Sequence, residues 1–204
     1  MYYTVVGIVL FASFAMMVRE GAWNNLIQLF AILIGGVTAF GVHQPLVVWI
    51  DEQTDGAYTY LLDVAVLWLV FIVVVALVKQ LAQFLSKSRV AMAGPADHGV
   101  GVAVGLVAAW LLTGFTVATL HAAPLARATM SGNLDYGDKV AQVEGALGDA
   151  SPITRPDVAW LRMMEGVLAP ERFGGAGFKA AIYVQQHTRH RAQFEKIATT
   201  FVKR

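Results

Sequence analysis

The sequence predicts an all-α, polytopic membrane protein with four transmembrane helices and a mainly helical polar C-terminal tail. Three observations carry that prediction. Of 204 residues, 57% are apolar and only 14% are charged, with a mean hydropathy of +0.58, whereas soluble domains average about a quarter charged residues. Four long stretches carry no charge at all, at 1–18, 21–50, 64–78 and 99–126. The charge that remains is lopsided, with 10 of 29 charged side chains in residues 1–121 and 19 in the last 83 residues. The chain therefore divides near His121 into a transmembrane domain, 1–121, and an extracytoplasmic helical tail, 122–204.

A crossing needs roughly 20 mainly apolar residues. The first helix, about 3–19, is short and ends at Arg19 and Glu20, which points to a hairpin turning over 19–23. It lacks a basic leader region and a small-x-small cleavage site, so it reads as a retained helix. Helix two, about 25–49, opens on Asn24, Asn25 and Gln28, residues suited to capping or to the interface. Near its end stand His43, Gln44 and Pro45, where a headgroup-level histidine is expected. Helix three, about 58–80, reaches spanning length only by starting near Tyr58 or Tyr60, which sets Asp63 one turn inside it. An ionisable group within a span is a functional hypothesis by default, and the plainer alternative is an interfacial carboxylate. Residues 80–90 suit a helix continuing along the interface until Gly94-Pro95 breaks it, with Asp97 as cap of helix four, about 99–121. Tyr2, Tyr3, Trp23, Trp49, Tyr58 and Tyr60 mark interfaces.

Two faces of small residues stand out, Ala31-Gly35-Ala39 in helix two and Gly101-Gly105-Ala109 in helix four. In lipid, helices associate by close backbone approach, so both are expected packing seams, within the chain or against a partner. Orientation follows from the connections. Arg19 and then Lys79, Lys87 and Arg89 flank two of them, while the third holds Asp51, Glu52 and Asp55 with no basic residue. The positive-inside rule puts the basic connections in the cytoplasm and both termini outside; 11 of the 15 basic residues lie in the tail, but long translocated segments contribute little to that rule.

In the tail, 138–147 reads as a helix stopped by Gly148. Thr154-Arg155-Pro156-Asp157 has the form of a capping box opening a helix to Leu168, with Trp160, Met163, Met164 and Val167 on one side. Pro170 and the glycines of 174–177 end it, and Phe194, Ile197, Ala198, Phe201 and Val202 follow amphipathic helical spacing. His187 and His190, flanked by Arg189 and Arg191 with Glu195 nearby, read as a solvated basic face that could meet anionic lipid or an acidic protein.

Several functions are excluded or disfavoured. Zero cysteines rule out disulfides, thiolate metal sites and a thiol nucleophile, and a net charge of +1 argues against nucleic-acid binding. The tail has no nucleophile elbow, phosphate loop or zinc-binding helix motif, and Ser131 and Ser151 are its only serines. No catalytic, cofactor or metal residue is therefore assigned. No series of acidic, His or Arg residues lines the helices, which weighs against an ion pathway.

The run Val18-Arg19-Glu20-Gly21, the long helix to Pro45, a third helix ending in basic residues, and Gly94-x-x-Asp97-x-x-x-Gly101-x-x-x-Gly105 together resemble the CvpA family of colicin V production proteins. The likeness covers about residues 3–125 and is nearest to planctomycete-type members with a polar C-terminal extension. Two departures are His98, where an Arg is usual, and Ala108-Ala109, where the family has Arg-Gly. The resemblance implies a multi-pass bacterial inner-membrane protein with both termini outside. It also implies a non-enzymatic role, linked in the family to colicin V export, to envelope stress tolerance and to anchoring of an extracytoplasmic protease. Gly94, Asp97, Gly101 and Gly105 carry over as structural motif positions.

The functional expectation is a non-enzymatic scaffold or accessory protein that packs with or anchors another envelope component. Its partners would be membrane lipids and a protein in the membrane or outside the cytoplasm, as a homo- or hetero-oligomer. The alternatives are a small transporter or channel using Asp63, and a lineage-specific small subunit of a larger membrane complex.

Overall fold

The structure is a computed structural model and describes residues 1–54, 59–85, 95–125, 134, 136–137, 139–169 and 177–202. Among them there are helices and connections but no strand. The membrane part consists of α1 (Tyr2–Met17), α2 (Ala22–Gln53), α3 (Thr59–Leu85) and α4 (Pro95–Thr119). The tail supplies α5 (Val140–Asp149), α6 (Pro156–Val167) and α7 (Ala180–Val202).

Three of the four expected spans, in α2, α3 and α4, are long and apolar enough to cross a bilayer, whereas α1 has 16 residues. At 1.5 Å per residue, α1 reaches only about 24 Å, less than the hydrocarbon core. The elements run past the expected limits because polar ends extend them. α2 continues through Pro45 to Gln53, α3 reaches Leu85, and α4 opens at Pro95, a good first helical residue because its missing N–H would go unpaired there. Asp97 thus lies within the first turn and is not the cap; its carboxylate sits against Gly21 in the α1–α2 turn. The interfacial continuation over 86–90 and motif residue Gly94 lie outside the described residues.

Packing follows the small residues. Ala31 and Ala39 are fully buried, and a methyl at Gly35 would meet Val75 at 2.8 Å and Phe71 at 3.2 Å, so this face is the α2–α3 seam. Gly101 lets α4 approach the backbone of Glu20 and Ala22 in the α1–α2 turn, with a methyl 3.0 Å from the Ala22 nitrogen. Gly105 makes room for Asn25 and Met17, and Ala109 is buried one turn on. Asn25 does not cap α2. It is buried and donates to the carbonyls of Met17 (3.0 Å) and Gly101 (2.8 Å), riveting three helices. Trp68 Nε1 likewise donates to Thr119 Oγ1 at 3.1 Å, tying α3 to α4.

The 121/122 boundary marks a change of composition, and packing runs across it. One apolar core includes Met17, Phe40, Phe71 and Phe115 of the membrane helices together with Val143, Trp160, Met164 and Tyr183 of the tail. Trp160 lies in a slot left by two glycines. A methyl at Gly36 would overlap its indole ring, and one at Gly114 would come within 3.3 Å of its Cβ and 2.8 Å of the Pro156 carbonyl oxygen. Phe40 touches Phe115, Trp160, Phe178 and Tyr183, with ring centroids 5.4–6.4 Å apart. Within the tail, Arg162 donates to Leu147 and Gly148 carbonyls at the α5 C-terminus, satisfying groups the helix leaves open. The helix expected over 138–147 is shifted to Val140–Asp149, so Gly148 is inside it. Side chains beyond Glu195, hence Ile197, Ala198, Phe201 and Val202, lie outside those described.

Filling the slot should be costly. Gly36→Ala is expected to destabilise the protein in detergent by about 1–3 kcal/mol, the usual range for core overpacking. In a double-mutant cycle with Trp160→Ala most of that cost should vanish, as a lowered thermal midpoint restored relative to Trp160→Ala alone. Equal costs in both backgrounds would mean that Trp160 does not occupy the slot.

Candidate functional site

Where the tail meets the bundle, two carboxylates are held by basic and hydroxyl side chains from distant segments. The first is Asp157, the second residue of α6, with no exposed surface. It accepts from His121 Nε2 at 3.2 Å, Tyr136 Oη at 3.2 Å, Arg155 Nη2 at 3.1 Å and Nε at 3.3 Å, and from the Tyr2 hydroxyl. Arg155 also donates to both tyrosine hydroxyls and lies over their rings, 4.6 Å from the Tyr2 centroid and 5.1 Å from that of Tyr136. The first turn of α1, the residues just past α4, the connection at 136 and the start of α6 converge on one carboxylate.

The electrostatics are one-sided. Burial alone would raise the Asp157 pKa, but the hydrogen bond from His121 and the charge of Arg155 outweigh it and hold the carboxyl well below the usual range. Burial also opposes the Arg155 charge, and Asp157 more than compensates, so its pKa rises. Burial lowers the pKa of His121, which is neutral at physiological pH, and raises that of Tyr136. The result is a single buried ion pair braced by neutral donors.

The second carboxylate is Asp63, near the start of α3. His187 of α7 approaches it at 3.5 Å through Nε2, and His190 at 3.8 Å through Nδ1. His187 Nδ1 is bonded to the Tyr183 carbonyl at 2.7 Å, which turns the other ring nitrogen toward Asp63. His190 is half exposed, and the Asp63 carboxylate beside it raises its pKa against the effect of burial. A small cavity lies between Asp63, Pro124, His190 and Phe194. Beside the cluster, His43 is buried against Phe40 and Tyr183.

These placements revise several expectations. His187 is not on a solvated face; it is buried against Asp63, because α7 folds back onto the membrane helices. His43 is covered by Tyr183 of the tail. The capping box does not form. Thr154 bonds to Ser151, Arg155 takes the cap position without a side-chain bond, and Asp157 faces inward. Asp97 and Gly101 lie against the α1–α2 turn, and Gly105 against Met17 and Asn25 on either side of it, so these motif residues contact neither carboxylate. Asp157 and its partners were missed, although His121 was visible as the lone titratable group in a charge-free stretch. Among the described residues, no group of three or more His, Cys, Asp or Glu is arranged to hold a metal.

Three long apolar helices, small-residue seams and a tail docked through buried charges define a multi-pass helical membrane protein. Residues 4–134 match the family model described as Colicin V production protein, and the chain belongs to that family. No curated protein and no solved structure matches it.

Two predictions follow from the charges. Asp157→Asn leaves Arg155 buried without its counter-ion and should cost about 3–5 kcal/mol, read as early loss of the tail helices in limited proteolysis; wild-type protection would contradict the clamp. Asp157, with its depressed pKa, supports folding above the ordinary carboxylate pKa of about 4 and loses that support as pH falls further. His190 acts in the opposite direction. With its pKa raised in the folded state, its contribution is complete below about pH 6.5 and fades as pH rises through the raised value. The thermal midpoint difference between wild type and His190→Gln should therefore shrink from pH 6 to pH 9, and a constant difference would remove His190 from the anchor.

Proposed function

We propose that the chain is a non-enzymatic scaffold or accessory subunit that holds another envelope component at the bacterial inner membrane. The observation that carries this reading is the docking of the tail. Both of the deepest carboxylates at that end of the bundle, Asp157 and Asp63, have side-chain partners that fix α6 and α7 against the membrane helices. Charges spent on holding a polar segment in one position suit a platform better than a permeation path. The small-residue seams are occupied within the chain, so a membrane partner would dock on the lipid-facing sides of α1 and α3, where Phe11, Met16, Leu69 and Ile72 are exposed. Burial of Asp63 against the tail histidines weighs against the transporter alternative.

Sidedness belongs to the same proposal. With the basic connections in the cytoplasm, the tail and its partner lie outside it. The absence of native cysteine makes labelling clean. A cysteine at exposed Ser151 should react with a membrane-impermeant maleimide in intact spheroplasts, and labelling only after lysis would reverse the topology. In mild detergent the protein should run as a defined stoichiometric oligomer or complex that bulky polar substitutions at Phe11 or Leu69 disrupt. A strict monomer unaffected by them would sink the scaffold reading, and solute flux in proteoliposomes abolished by Asp63→Asn would favour a transporter.

A further inference from the structure

A third concentration of polar side chains lies at the opposite end of the bundle, remote from both carboxylate clusters. α1 packs on α4, and α3 packs on α2, which leaves a cleft between α1 and α3 over the other two helices. A cavity of about 610 Å³ occupies it, in the size range of small-molecule sites. Its apolar wall includes Met17, Ile27 and Leu112. Its polar wall holds Glu20, Asn24, Gln28, Lys79 and Gln83, all within about two turns of the helix ends.

The charges across this cleft are opposite and come from different elements. Lys79 stands on α3 and Glu20 in the α1–α2 turn, where Asn24 Nδ2 donates to the carboxylate at 2.8 Å. Asn25, also lining the cavity and almost fully buried, leaves its Oδ1 without a donor. A ligand suited to this lining has an anionic group for Lys79, a hydrogen-bond-donating cation for Glu20 and the amide oxygens, and an apolar body. At the rim Met16 is exposed, and so is Ile72, two turns along α3 from Lys79 on the same face, giving a path along which long apolar chains can leave.

The geometry points to a binding site for one membrane phospholipid with a zwitterionic phosphoethanolamine headgroup. The phosphate faces Lys79, the primary ammonium faces Glu20, and the acyl chains leave between α1 and α3. A trimethylammonium cannot donate to the carboxylate, and a neutral glycerol headgroup leaves Glu20 without a cation, so ethanolamine is preferred over choline and over phosphatidylglycerol.

The test uses the full chain reconstituted into vesicles of equal parts phosphatidylethanolamine, phosphatidylglycerol and phosphatidylcholine, extracted in mild detergent and weighed by native mass spectrometry. One phosphatidylethanolamine per chain should be retained, enriched severalfold over the other two. Lys79→Gln and Glu20→Gln, exposed substitutions that should leave helix content and thermal midpoint unchanged, should each lower that occupancy roughly tenfold, the effect of one charge-assisted hydrogen bond. No retained lipid, no headgroup preference, enrichment of phosphatidylglycerol, or occupancy unmoved by both variants overturns the assignment. Displacement of the lipid by millimolar free phosphoethanolamine would assign the cavity to a soluble phosphomonoester and would also overturn it.

Discussion

An ionised carboxylate with no exposed surface must be compensated where it stands, and Asp157 imposes that condition on one whole end of this protein. Leaving a charge unpaired in a low-dielectric interior costs several kcal/mol. Arg155 supplies the counter-charge from two residues away, but it does not reach every lone pair of the carboxylate. The remaining donors are His121, Tyr2 and Tyr136, from segments that meet only when α1, α4 and α6 are all in place. Position within α6 helps too, since Asp157 lies in the first turn, where the helix dipole favours negative charge. Pro156 before it has no N–H to satisfy, and its carbonyl rests where a side chain at residue 114 would project. Setting Asp157 therefore sets the depth of α6 and brings Trp160, one turn later, into the slot at Gly36 and Gly114.

Much of the membrane part was legible because lipid restricts what a sequence can do. Charge-free runs mark helices, and small residues at four-residue spacing mark close approach, so the packing faces of helices two and four were legible, while the elements they meet, α3 and the α1–α2 turn, came only with the fold. The pairings at the tail were not legible. Tyr2 and Asp157 are 155 residues apart, and Tyr2 reads as an interface aromatic, Asp157 as part of a cap. Each local reading is sensible alone, and only their convergence shows that both are buried. Gly36 was hidden for a related reason. It lies next to Gly35 in sequence but about 100° away around the helix, on a face whose partner comes from the tail. His187 and His190 looked solvated beside Arg189, which does face water, while the helix turns His187 toward α3 and buries Arg191, which was read with the same face, against the Leu134 carbonyl.

The adjacency of Gly35 and Gly36 also explains why α2 is the centre of the structure. Consecutive residues without side chains open two close approaches in different directions, one to Phe71 and Val75 of α3 and one to Trp160 of α6, while Asn25 near the start of α2 reaches Gly101 of α4. One helix thus holds the membrane bundle and the tail together, and its long end carries His43 beneath Tyr183 of α7. The two ends of the bundle use polar groups differently as a result. At the tail end, carboxylates, histidines and Arg155 face one another, so their charge is consumed in fixing position. At the Lys79 end no tail segment among the described residues covers α1 and α3, and the polar groups line an open cleft facing lipid. A protein made this way has one end committed to holding its own polar segment in place and another free to meet the membrane, an asymmetry suited to a part that joins something outside the bilayer to the bilayer itself.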